Sequence, residues 1–163
     1  MKILVLSDSH SALRPMRQAI DKLKPDHVIH LGDLYDDGQS IADMYPHLRV
    51  HQVPGNCDYR RAGQWWPDFL CYDVGGVRLY MTHGHLEGVK SDTQRLIALA
   101  RQNKAQAVLY GHTHRAECYQ IDGLLVMNPG TCQSYEGTVG VLEIDGEKIS
   151  ASGIFSLAEL MEL

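Results

Sequence analysis

A chain of 163 residues that is 44% hydrophobic and 21% charged has the length of one domain and the balance of a water-soluble globule that can bury a core. Its 15 basic against 20 acidic side chains leave a formal charge of -5, which argues against a protein that lives on nucleic-acid phosphates through a broad cationic surface. The cysteines Cys57, Cys71, Cys118 and Cys132 form no Cys-x-x-Cys pair, the apolar run at the amino terminus is too short for a secretion signal, and no window approaches the roughly 18–20 apolar residues that span a bilayer. We therefore expect a reducing cytoplasm and no membrane partner.

In chain order, Lys2 to Leu6 is a continuous apolar run that suits a buried strand, and polar residues begin where it ends, at Ser7-Asp8-Ser9-His10. Leu13, Met16, Ala19, Ile20 and Leu23 recur at helical spacing, with Pro15 tolerable in the first turn and Pro25 as a stop. His27 to Leu31 predicts a second strand ending in Gly32-Asp33. A polar segment from Tyr35 to Ser40 leads into a short helix to about Tyr45, and a third strand, Val50 to Val53, ends at Pro54-Gly55-Asn56-Cys57-Asp58. Strands alternating with helical crossovers imply an α/β sheet whose ligands gather beyond the carboxyl ends of the strands.

Hairpins follow. Phe69 to Val74, the Gly75-Gly76 turn and Val77 to Thr82 predict one that runs into His83-Gly84-His85. Ser91 with Gln94 resembles a capping box before a helix reaching Asn103. Ala107 to Tyr110 is the strand that delivers Gly111-His112-Thr113-His114. Glu117 to Ile121 with Leu124 to Asn128, and Val139 to Ile144 with Lys148 to Ile154, make two further hairpins around Asp-Gly turns, before a helical tail from about Leu157. Strand–helix units first and hairpins later suggest two sheets packed face to face, with helices outside.

The polar residues at these strand ends are Asp8, His10, Asp33, Asn56, His83, His112 and His114, all of them oxygen or imidazole donors. Glycines at Gly32, Gly55, Gly84 and Gly111 permit close approach. Taken singly, Asp8 could cap a helix, Asn56 fill a turn and His83 sit in the core. Together they are too many donors for one tetrahedral zinc and suit two metals that share a carboxylate.

The set Asp8-x-His10, Gly32-Asp33, Gly55-Asn56-x-Asp58, His83 and Gly111-His112-x-His114 resembles the calcineurin-like metallophosphoesterase family, and Asn128-Pro129-Gly130-Thr131 looks like its downstream loop. The small size and the Gly-Asn-Cys-Asp sequence point to the YfcE-like branch of bacterial and archaeal phosphodiesterases. This resemblance implies a four-layer αββα sandwich of two mixed sheets, formed by residues 1–163 as a single domain. It puts Asp8, His10 and His114 on one metal, Asn56, His83 and His112 on the other, and Asp33 between them, so that the two imidazoles of the last motif are divided. It further implies hydrolysis of small phosphodiesters by a hydroxide held between the metals. Carboxylate, amide and imidazole donors without thiolate suit Mn, the expected metal, with Ni, Fe or Zn as alternatives.

One departure matters. Larger members have histidine where this chain has Cys57, the position that assists the leaving oxygen; a thiol with a reference pKa of about 8.5 is a poor acid near neutrality. The expected preference is for diesters whose leaving groups depart with little help. His85 is the candidate to supply the missing contact, and Asp58 the candidate to orient a neighbouring ligand. The remaining histidines, His27, His30, His47 and His51, and the cysteines Cys71, Cys118 and Cys132 read as structural. Trp65-Trp66-Pro67 reads as packing or a subunit contact more than substrate stacking, and the Trp65 loop or a hairpin edge could support self-association; Arg60 and Arg61 read as a solvated pair. Two other readings come with the resemblance: a scaffold like the family's retromer subunit, with a vestigial metal site, or a nuclease, against which the acidic balance counts.

Overall fold

The computed structural model describes residues 1–58 and 65–163, so Arg60 and Arg61 lie outside the described residues. The order is β1 (Lys2–Leu6), α1 (Leu13–Leu23), β2 (His27–His30), α2 (Tyr35–Met44), β3 (Arg49–Gln52), β4 (Phe69–Val74), β5 (Val77–Thr82), α3 (Gln94–Gln102), β6 (Ala107–Leu109), β7 (Glu117–Ile121), β8 (Leu124–Asn128), β9 (Thr138–Asp145), β10 (Lys148–Ser156) and α4 (Leu157–Glu162). Five strands form one sheet in the order β10-β9-β1-β2-β3, and five form a second in the order β4-β5-β6-β8-β7. In the first sheet β1, β2 and β3 are parallel, while β9 runs antiparallel to β1 and to β10. In the second, β5, β6 and β8 are parallel and the edges β4 and β7 antiparallel.

Continuous apolar runs build this arrangement because each central strand is buried on both faces. Ile3 and Val5 of β1 join Ile29, Leu79, Met81, Leu109 and Met127 between the sheets, whereas Leu4 and Leu6 point the other way, onto Met16, Ile20, Ile41, Leu157 and Leu160. The helices α1, α2 and α4 thus cover one outer face. On the other, Leu96 and Ala100 of α3 pack on Tyr80, Val108, Leu124 and Val126. The result is the four-layer αββα sandwich of two mixed sheets. Among the described residues no helix is long and apolar enough to cross a membrane.

Several strand ends shift by one or two residues, and two helix starts differ from expectation. Helix α2 begins at Tyr35, so the polar segment is its first turns. Asp36 and Asp37 there favour a helix N-terminus electrostatically, and a Cβ at Gly38 would make the Gln52 side chain, whose Oε1 would lie 1.9 Å away, move aside. Ser91 does not cap α3: the helix starts at Gln94, whose N–H donates to Asp92 Oδ1 at 3.0 Å, while Ser91 lies in a turn closed by its N–H on Gly88 O.

Candidate metal centre

The parallel strands carry their carboxyl ends to one edge of the sandwich. Asp8 and His10 follow β1, Asp33 follows β2, Asn56, Cys57 and Asp58 follow β3, His83 and His85 follow β5, and His112 and His114 follow β6. Leaving each strand towards a common point demands unusual backbone. Asp8, His10, Asp33, His112 and His114 have φ of +55°, +44°, +51°, +70° and +62°, a left-handed region that costs a residue with a Cβ about 1 kcal/mol or more. Such strain concentrated in one constellation marks a functional site rather than a packing solution. Two glycines let the strand ends meet. A Cβ on Gly111 would lie 2.0 Å from Ser7 Oγ and 2.8 Å from Asp8 Oδ2, and one on Gly32, at φ +102°, 2.6 Å from Gly55 N.

Asp8 is fully buried. Its Oδ2 accepts the Ser7 hydroxyl at 2.6 Å and the His112 N–H at 3.1 Å. Its Oδ1 has no hydrogen-bond partner among the described residues, yet lies 3.2 Å from His114 Nε2, 3.8 Å from His83 Nε2 and 4.0 Å from His10 Nε2. Asp33 Oδ1 accepts the Cys57 N–H at 2.9 Å, and its Oδ2 is 3.4 Å from His83 Nε2. Burial acts to raise the Asp33 pKa, but the His83 ring and the Cys57 N–H outweigh it and hold the carboxyl well below the usual range.

His83, buried, donates from Nδ1 to Leu31 O at 2.7 Å, which turns Nε2 towards Asn56 Oδ1 at 3.0 Å and the two carboxylates. Burial acts to lower its pKa; the hydrogen bond to Asp33 and the fields of Asp8 and Asp33 reverse the sign. The His112 ring lies 5.0 Å from that of His83, and the half-buried His85 ring 5.4 Å from His83 and 6.1 Å from His112, with no partner for its Nδ1 among the described residues. Two sets of possible metal donors fall within 4.8 Å of one another, Asp8 with His10 and His114, and Asp8 with Asp33 and His83. Five of the seven expected donors fall in these sets, with Asp8 common to both. Asn56 and His112 border the second set through His83.

The donor chemistry fits divalent cations. Asp8 Oδ1 and His10 Nε2 are buried and have no hydrogen-bond partner among the described residues, a costly arrangement that a cation would relieve.

Around the donors lies a shell that fixes them. Asp58 accepts the N–H groups of Asp33 at 3.1 Å, Gly55 at 2.7 Å and Tyr35 at 2.8 Å, so both of its oxygens hold backbone, as expected for an orienting residue. Cys57 is half-buried and its thiol is pushed up in pKa by burial and by Asp33. Sequence reasoning missed a buried relay: Ser9 Oγ donates to Asp37 Oδ2 at 2.5 Å and meets His30 Nε2 at 2.8 Å, and Asp37 also takes the Ser11 N–H at 2.8 Å. This clamps the turn that carries Asp8 and His10. Asn128 Nδ2 donates to Gly111 O at 3.1 Å and Thr113 Oγ1 at 3.0 Å, and Thr131 Oγ1 to Asp8 O at 2.8 Å, so the downstream loop braces both ends of the centre.

Of the tryptophans, Trp66 stacks on Tyr35 with centroids 4.1 Å apart, and Trp65 is 78% exposed. Cys132 is buried, Cys71 and Cys118 are half-buried against the cores, and the cysteines are free thiols.

A four-layer sandwich with imidazoles and carboxylates at one strand-end edge is the architecture of a metal-dependent phosphoesterase. Residues 1–147 match the model of the calcineurin-like phosphoesterase superfamily domain, and the chain belongs to that family. It is 33% identical over 135 residues to a probable metallophosphoesterase of Bacillus subtilis, covering 80% of this chain and 75% of that one. It is 28% identical over 164 residues to a phosphodiesterase of Methanocaldococcus jannaschii, with 89% and 94% covered. It is also 34% identical over 160 residues to vacuolar protein sorting-associated protein 29 of Schizosaccharomyces pombe, with 93% and 82% covered. Among solved structures, a protein of Streptococcus pneumoniae described as a predicted phosphoesterase superposes with a TM-score of 0.71 at 29% identity, over 95% of this chain and 97% of that one.

Proposed function

We propose that the chain, acting as one domain in the cytoplasm, is a two-metal phosphodiesterase that hydrolyses small phosphodiesters. The observation that carries this reading is the pair of buried atoms, Asp8 Oδ1 and His10 Nε2, that have no hydrogen-bond partner among the described residues and face His114, His83 and Asp33. A bound cation would satisfy these atoms at once. Asp8, His10 and His114 would hold one cation, and Asn56, His83 and His112 the other; the resemblance puts Asp33 between them, whereas the carboxylate common to both donor sets of the structure is Asp8. Mn is the expected metal, with Ni, Fe or Zn as alternatives. Bound there, the cations supply an acidified water near neutral pH and offset charge on the phosphoryl oxygens.

The chain's own residues do the rest. His83 is locked by Leu31 O so that Nε2 faces the centre, and Asp33 stays ionised to low pH. Asn56, Asp58 and His85 line a cavity of about 370 Å³, large enough for a small ester arm, and His85 would be the group to hydrogen-bond the leaving oxygen. Cys57 beside it offers only a raised-pKa thiol. The Methanocaldococcus relative's name supports a diester substrate. The yeast relative's supports a second reading, a protein-interaction scaffold on the same fold.

The deciding experiment strips the protein of metal, adds back Mn, Ni, Zn or Mg, and follows bis(4-nitrophenyl) phosphate and 4-nitrophenyl phosphate beside Asp33→Asn. We expect diester hydrolysis that needs added metal and falls by about 100-fold or more in the variant. No hydrolysis with any metal, or equal rates in the variant, overturns the enzyme reading in favour of the scaffold.

A further inference from the structure

A second cavity, of about 510 Å³, opens beside the centre. Thr113, between His112 and His114, forms part of its wall, so the cavity adjoins the place where a phosphoryl group would sit. Four charged side chains line it: Lys90, Arg115, Asp92 and Glu117. The acids are already engaged within the fold. Glu117 accepts the Tyr110 hydroxyl, and Asp92 accepts the Gln94 N–H at 3.0 Å. The cations are not: among the described residues neither Lys90 Nζ nor the Arg115 guanidinium has a hydrogen bond or ion pair.

In a chain with 20 acidic side chains for 15 basic ones, two unpaired cations converging on one concave wall are a built feature of the surface. Tyr119 and Val89 add an apolar wall along which the linker of a substrate arm can lie.

We infer that this cavity receives one ester arm of the substrate and that the arm carries a second anionic group, a carboxylate or a phosphoryl group, held between Lys90 and Arg115. This rests on the phosphodiesterase reading above and narrows its substrate class. A short diester with two neutral arms leaves both cations unanswered.

The test uses two diesters with the same leaving group, 4-nitrophenyl phenyl phosphate and 4-nitrophenyl 4-carboxyphenyl phosphate, and the metal-loaded full-length protein. The readout is the ratio of their kcat/KM values. Wild type should prefer the carboxylate-bearing arm by about tenfold, two partly shielded charge contacts of a few-fold each, expressed in KM and shrinking as salt rises. In Lys90→Gln/Arg115→Gln the ratio should fall to about one, and Lys90→Arg/Arg115→Lys, which keeps both charges, should restore most of it.

Hydrolysis of both diesters by wild type at a ratio near one overturns the subsite while leaving the phosphodiesterase intact, as does a preference that survives in the double glutamine variant. Hydrolysis of neither overturns the phosphodiesterase reading and the subsite with it.

Discussion

Asp8 accepts two internal hydrogen bonds on one oxygen, while the other has no hydrogen-bond partner among the described residues and faces the imidazoles of His114 and His83, an asymmetry that suits a carboxylate able to hold a cation. The neighbouring imidazoles divide around it. His114 and His10 stand on one side, with ring centroids 5.5 Å apart, and His112 stands by His83 on the other. We therefore expect His112→Ala and His114→Ala each to lose about one equivalent of bound metal, and a different one, as read by metal analysis and calorimetric titration. Identical loss of both ions from both variants would instead describe one joint site. Cys57 supplies a second residue-scale expectation. Replacing it by His should raise turnover of diesters with poor leaving groups more than of those with good ones, measured as the slope of rate against leaving-group pKa, because an imidazole can share a proton near neutrality where this thiol cannot.

At the scale of elements, the strands that feed the centre are held together by close backbone approach. Gly111→Ala should cost about 1–3 kcal/mol in chemical denaturation and weaken metal binding, because the new methyl meets Ser7 Oγ and Asp8 Oδ2 at once. Across β2 and β3 the imidazoles of His27 and His51 stack 5.2 Å apart and share a 2.9 Å hydrogen bond, and His51 also bonds the Tyr72 hydroxyl. Burial, with the His27 and Arg49 charges, pushes His51 down to about 4, and burial with Arg49 lowers His27. Buried His30 is also pushed down to about 4. A lowered folded pKa means that the unfolded chain takes up the proton first. The contribution is therefore fully present above about pH 6.5 and is lost as pH falls towards 4. Denaturation midpoints should drop across that window, and His51→Gln should make the drop shallower.

These elements also show what a sequence exhibits and what it hides. The hairpin of β4 and β5 was legible to the residue because a Gly-Gly turn between two apolar runs leaves little choice of register. The seven candidate donors stood out in the sequence because each follows an apolar run. The Ser9–His30–Asp37 relay was not, since its members lie far apart in the chain and each alone looks like a turn residue, a core histidine or a first-turn acid. Helix α2 was legible only at its far end, because its polar opening follows no hydrophobic period.

For the whole molecule, the layers sort their duties. The inter-sheet core holds the two sheets in register, and the outer helices protect their backs, so the strand ends can tolerate left-handed backbone and buried charge at one edge. The hairpin turns at Gly75-Gly76, Asp122-Gly123 and Asp145-Gly146 follow from the same topology. Each precedes a strand that runs towards the centre or closes one that runs away from it, so all three cluster at the far end of the sandwich. A Cβ at Gly123 or Gly146 would meet nothing within 4 Å, so backbone φ of +81° and +52°, and not packing, is what favours glycine there. The molecule thus has a pole where almost no atom can change and another that is open to rewriting. Four glycine or serine residues inserted after Gly146 should leave metal content and hydrolysis within about twofold of wild type. A lineage that needed to tether this domain, display it or give it a new companion could do so from that end without disturbing the chemistry.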